Sequence, residues 1–193
     1  FSYSHGLETV IRDGTIADAD TLSAWIAGLI EHGSGWTDAV LFKAAWEANA
    51  EGLAEVAELA AALMPCLERR RETLGQGEAF LIAARAWGPP PLSGAVAYPV
   101  AVAAVTAAAN IPLETALTAW LHAFAANLVS VAVRAVPLGQ TYGVAVIADL
   151  EPVILAAAAR AAASSLDDLG ASALLSDIAA MRHETLGVRL FIS

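Results

Sequence analysis

Charge is scarce in this chain, and what there is leans acidic. Only 16% of the 193 residues are Asp, Glu, Lys or Arg against 58% apolar, and ten basic residues face twenty acidic ones for a formal net charge of −10. A nucleic-acid surface needs clustered Lys and Arg to neutralise phosphates, so that class is excluded. Docking on an anionic membrane surface is excluded for the same reason. Cysteine is scarcer still: Cys66 stands alone, which rules out an intrachain disulfide and points to a reducing, cytoplasmic setting. Runs of Val, Ile, Thr and aromatics are short and broken by alanine, so a sheet has little to build on. The opening residues also lack the charged-then-apolar pattern of a signal peptide.

The usual carriers of chemistry are missing too. His5, His32, His122 and His183 are far apart, and none has a second His or Cys at metal-ligand spacing, so no resident metal or cofactor is expected. Gly75-Gln76-Gly77 lacks both the lysine and the preceding strand of a phosphate-binding loop. Asp167-Asp168 reads as a helix cap rather than an acid–base dyad, and Glu68-Arg69-Arg70-Arg71-Glu72 as a solvated helical turn. Two readings remain beside a binding role. One is an all-α enzyme with a pocket around Cys66 or His122; the other is a metal-ion carrier using His5 and His183.

What is present is alanine, leucine and helical periodicity. The expected fold is all-α, a single-domain bundle of roughly eight to ten helices over residues 1–193. Leu22, Trp25, Ile26, Leu29 and Ile30 share one helical face, with Asp18 or Asp20 to cap it and Gly33 to stop it. Further helices are expected over 4–13, 37–50 (broken at Gly52), 53–64, 67–87, 98–109, 112–135, 141–164 and 175–184. Gly88-Pro89-Pro90-Pro91 interrupts them as a linker. Thr141 should cap its helix, and Pro152 should kink it. Residues 116–136 are about long enough to span a bilayer. Thr118, His122, Asn127, Ser130 and Arg134 make that segment a central helix of a soluble bundle instead. Its apolar stripe is Leu113, Leu117, Trp120, Leu121, Phe124, Leu128 and Val131; its polar one is Asn127, Ser130 and Arg134. So much apolar surface with so little charge leaves a surplus for subunit contacts, and an oligomer is expected.

Polar residues concentrate near the C-terminus, in Pro137-Leu138-Gly139-Gln140-Thr141 and in Ser176-Asp177 through Met181-Arg182-His183-Glu184-Thr185. That distribution suits a docking surface better than a catalytic pocket. Together with Ser4-His5-Gly6-Leu7-Glu8, Arg71-Glu72-Thr73, Tyr98-Pro99-Val100, Leu121-His122-Ala123-Phe124, Asn127-Leu128-Val129-Ser130 and Arg189-Leu190-Phe191, these blocks resemble the urease accessory protein UreF family over essentially the whole chain. The chain starts inside the family's first motif. The resemblance implies a non-catalytic, homodimeric, cytoplasmic adaptor. Such a protein would bind UreD (UreH in some bacteria), recruit the GTPase UreG and serve nickel insertion into apo-urease, with nickel handled by the complex; the metal-carrier alternative then becomes a nickel carrier using His5 and His183.

Carried over by position, the partner-binding residues are His5, Glu8, Gly139, Gln140, Thr141, Arg182, His183, Glu184, Arg189, Leu190 and Phe191, with residues 185–193 as a docking tail. Leu190 and Phe191 read as interface anchors, in a tail that orders on binding. Deleting Thr185–Ser193 should then abolish UreD binding and spare the dimer. Arg182→Ala should weaken binding more than Arg69→Ala, because Arg69 falls in the charged turn.

Overall fold

The computed structural model describes residues 3–136 and 139–191. Among these the chain forms nine α-helices and no strand: α1 (Leu7–Arg12), α2 (Ala19–His32), α3 (Ser34–Glu47), α4 (Ala50–Ala62), α5 (Leu67–Ala84), α6 (Tyr98–Ala108), α7 (Leu113–Ala135), α8 (Gln140–Ala162) and α9 (Leu174–His183). Short 3₁₀ turns follow α5 and α8.

Local chemistry sets the boundaries. Asp18 caps α2 in a reciprocal pair with Thr21, its carboxylate accepting the Thr21 N–H at 2.9 Å. Gly33 ends that helix as expected. The break after α3 falls at Ala48–Asn49 rather than at Gly52, because the Asn49 side chain accepts the Gly52 N–H at 2.9 Å and starts α4 there. Thr141 does not cap α8. The helix begins one residue earlier, after an extended Gly139, which leaves Thr141 already inside the first turn. The helix then runs through Pro152 to Ala162. Asp168 returns a bond to the Ser165 N–H at 2.8 Å, so the Asp167–Asp168 pair does belong to a cap.

Helix α7 is the axis of the bundle, packed by α8, α3, α1 and α2. Its apolar stripe is buried, with Leu117, Leu121, Leu128 and Val131 wholly inaccessible; each fully buried leucine contributes about 1.5–3 kcal/mol. The polar stripe finds partners at its ends. Asn127 donates to the Tyr3 carbonyl at 3.1 Å, and Arg134 donates to the Ser130 carbonyl at 2.9 Å. Helices α7 and α8 are each long and apolar enough to cross a membrane; α7 lies more than half buried in the bundle, α8 only about a third.

Two contacts place the site. Short α1 is wedged between α7 and α9, and the N-terminal turn of α5 reaches α9. Gly6, with φ 78°, opens α1 so close to α9 that a Cβ there would stand 2.6 Å from the Ala180 amide nitrogen. Only glycine allows that approach.

Candidate functional site

The two ends of the chain meet around one buried carboxylate. Glu8, on the first turn of α1, has a side chain only 1% exposed. It accepts the Leu190 N–H at 3.0 Å and the Phe191 N–H at 3.2 Å, and Arg12 lies 3.1 Å away, one helical turn on. Burial alone would raise its pKa. The bonds from Leu190, His183 and Phe191 and the nearby Arg12 charge outweigh that, and its carboxyl is held below the usual range.

His183, the last residue of α9 and wholly inaccessible, sits between two carboxylates. Its Nε2 is 3.3 Å from Glu8 and its Nδ1 is 2.9 Å from Glu68 on α5. Each ring nitrogen thus faces a carboxylate oxygen. Glu68 also pairs with Arg189, which reaches back to the Glu184 carbonyl. The Glu184 carboxylate accepts the Glu68 N–H at 3.3 Å, serving a donor that α5 leaves free at its start.

Tail residues and α1 thus converge. Phe191 is buried, with the Arg134 guanidinium 5.2 Å above its ring. In this structure Phe191 is packed on its own chain as an internal anchor. Leu190 stays exposed, and Arg182 is a surface residue whose Nη1 lies 2.7 Å from Asp13. Gly139, Gln140 and Thr141 are exposed at the start of α8 and make no hydrogen bond to this cluster among the described residues. Pro137 and Leu138 lie outside the described residues.

A second buried cluster adjoins the first, and the sequence reading missed most of it. Arg69 is not a solvated residue: its Nη1 lies 2.6 Å from Glu72 Oε2, with side chains 7% and 1% exposed. Only Arg70 and Arg71 of the charged run face solvent. His5 Nε2 is 3.0 Å from Glu72 Oε1, and the His5 ring meets Phe124 edge-on with centroids 5.2 Å apart. His5 holds a left-handed φ of 53°, a conformation costing a non-glycine residue roughly 1–2 kcal/mol. Its two contacts offset that cost. Burial, with Arg69 nearby, pushes the His5 pKa down to about 4, against the pull of Glu72, so the ring is neutral. Burial pushes Asp38 up to about 7, helped by Glu72 and opposed by Arg69.

His5, Asp38 and Arg69 line a cavity of about 580 Å³ whose walls also include Phe80, Tyr98, Trp120 and Phe124. Neither Cys66 nor His122, the residues of the enzyme reading, lines it. Cys66 starts α5 with its thiol pKa raised by burial, and His122 faces outward. His5 and His183, the residues of the nickel-carrier reading, are both engaged with carboxylates. Among the described residues no three His, Cys, Asp or Glu side chains are grouped to hold a metal ion.

The blocks that meet here are those in which the sequence resembles a known family, and comparison with known proteins gives the same family. The family model for UreF matches residues 16–151. The urease accessory protein UreF of Rhizobium etli is 50% identical over an alignment covering 100% of this chain and 89% of that protein. Its counterpart from Mesorhizobium japonicum is 48% identical with the same coverage. That of Brucella ovis is also 48% identical, over 100% of this chain and 87% of its own length. The chain belongs to the UreF family.

For a UreF family member, this geometry divides the carried-over positions into two kinds. Glu8, His183 and Phe191 are buried and hold the termini together, while His5 is buried against Glu72 and Phe124. Arg182, Glu184, Arg189, Leu190 and the start of α8 are exposed. A sequence signal for the missed cluster did exist: Arg69, Thr73 and Gly77 recur at i, i+4 and i+8, beside Glu72. A helix face lined by Thr and Gly is a close-packing face, and it carries Arg69 inward.

Proposed function

We propose that this chain is a non-catalytic adaptor in urease maturation. It forms a homodimer, binds UreD through α9 and the tail, and recruits the GTPase UreG so that nickel can be inserted into apo-urease. Membership of the family over the whole chain supports the pathway. The observation that carries the docking role is the outer face of α9. Leu174, Ile178 and Met181 recur there at i, i+4 and i+7, all exposed, with Leu175, Val188 and Leu190 exposed beside them in sequence. A short helix with an apolar stripe turned to solvent is what a partner surface requires. Arg182, Glu184 and Arg189 supply charged groups at its end, the polar rim of such an interface.

The face offered for the homodimer is the open side of α8, where Val144 and Leu155, three turns apart, are exposed on a helix only about a third buried. The test uses surface variants that leave the core alone. Leu174→Asp with Met181→Asp should abolish capture by the cognate UreD while the dimer persists. Val144→Asp with Leu155→Asp should split the dimer. Normal UreD capture by the α9 variant would refute the docking assignment.

A further inference from the structure

We infer that the cavity between α3, α5, α6 and α7 is a binding site for a small organic cation, an ammonium group on an aromatic or aliphatic body, with Asp38 as its counter-ion. The inference stands apart from the adaptor role. A space of about 580 Å³ is far larger than the gaps a packed interior leaves, and it has the size of a small-molecule site. Phe80, Tyr98, Trp120 and Phe124 line it. Three of these rings hold one another edge-on. Phe80 meets Tyr98 with centroids 5.9 Å apart, and Tyr98 meets Trp120 at 5.0 Å. The wall is therefore preformed, and aromatic rings attract a cation through their faces.

Asp38 supplies the charge. It lines the same cavity at 7% exposure, and its carboxyl has neither a hydrogen bond nor an ion pair among the described residues. A buried carboxylate in that condition is costly, and its pKa of about 7 reflects the cost. Arg69, the nearby cation, is already paired with Glu72 at 2.6 Å, so those two charges cancel. A ligand ammonium would give Asp38 the partner its own chain does not. One carboxylate among aromatic rings favours an organic cation over a bare metal ion, for which no three ligating side chains are grouped among the described residues. The chain's net charge of −10 attracts cations and repels anions over longer range.

The probe is 2-phenylethylammonium, titrated into the full chain at pH 8 and followed through the Trp120 indole N–H resonance, with uncharged 2-phenylethanol as its counterpart. The ammonium should bind about tenfold more tightly than the alcohol, or better. Asp38→Asn, which keeps the shape and is expected to fold at least as well at this pH, should lose about that factor for the ammonium alone. Ala123→Trp sets a ring into the cavity from an exposed position and should abolish binding of both compounds. From pH 8 to pH 6 the wild type should bind the ammonium about tenfold more weakly, as Asp38 takes up its proton. Arg69 and Glu72 of α5, His5, and Asp177 of α9, which borders a smaller cavity with Asp38, are the other charged or titratable groups around it. Loss of the pH dependence in Asp38→Asn separates its titration from theirs. An indole resonance unmoved by millimolar ammonium would overturn the inference. So would equal affinity for the ammonium and the alcohol, or an Asp38→Asn variant that binds the ammonium as tightly as the wild type.

Discussion

Arg69→Met removes one charge from a cluster that has no access to water. In the wild type, Arg69 Nη1 and Glu72 Oε2 are 2.6 Å apart with both side chains buried, and His5 leans on the other oxygen of the same carboxylate. Methionine fills much of the arginine volume, so little of the loss comes from packing. What remains is a buried Glu72 carboxylate that has lost the guanidinium 2.6 Å from it. Breaking a buried pair from one side costs about 3–5 kcal/mol, a large share of the roughly 5–15 kcal/mol that holds a domain together. Arg182→Ala is the contrast. Its pair with Asp13 has side chains 59% and 41% exposed, and such surface pairs contribute about 0–1 kcal/mol. Urea unfolding followed by tryptophan fluorescence, at fixed protein concentration, separates the two. With a slope of about 2 kcal/mol per molar, Arg69→Met should lower the midpoint by about 2 M and Arg182→Ala by less than about 0.5 M. Adding Glu72→Gln to Arg69→Met should recover part of the loss, because the buried negative charge is gone while an acceptor for His5 remains. A midpoint for Arg69→Met within about 0.5 M of wild type would refute the reasoning. The ranking expected from sequence for these two arginines is accordingly replaced: Arg69 acts through the fold, and Arg182 is the one whose loss can be read as a surface effect.

Asp38 gives a pH dependence. Its folded pKa of about 7 exceeds the ordinary 3.8, so the folded state binds more protons between those values and stability falls as pH rises through that window. Asp38→Asn should therefore gain on wild type between pH 5 and pH 8, by about 2–3 kcal/mol, in unfolding curves at the two pH values; a constant difference would contradict the assignment. His5 has the opposite sign, since its folded value of about 4 lies below 6.5 and it favours unfolding as pH drops through that range. Two glycines of α5 should behave oppositely. A Cβ at Gly77 would meet the Val96 carbonyl oxygen at 1.8 Å, whereas one at Gly75 has nothing nearer than the Tyr3 hydroxyl at 3.9 Å. Gly77→Ala should destabilise by about 1–3 kcal/mol or more, and Gly75→Ala should stabilise by about 0.5–1 kcal/mol, both read from thermal melts.

The helices were legible because their signals are local. Asp18, Gly33, the Gly88–Pro91 break and the Leu117-Leu121-Leu128 stripe each act within a turn or two of chain. The start of α8 was misread for an instructive reason: Thr141 has the right chemistry for a cap, but the extended residue is Gly139. The candidate site was only half legible. Family resemblance picked out Glu8, His183 and Phe191, yet nothing local could say that they would meet one another across more than 170 residues and be buried. Arg69 was misjudged because a charged run was treated as a unit, when a helix turns successive residues by about 100° and sends two of those five side chains inward. Burial of a charge depends on what packs over it, and that is set by α6 and α9 rather than by the run itself.

Light scattering after size-exclusion chromatography, on the chain alone and then mixed with its cognate UreD, tests the adaptor role most directly. The account predicts a dimer alone that shifts to a complex of two chains with two UreD. A dimer whose elution and mass ignore UreD would contradict it.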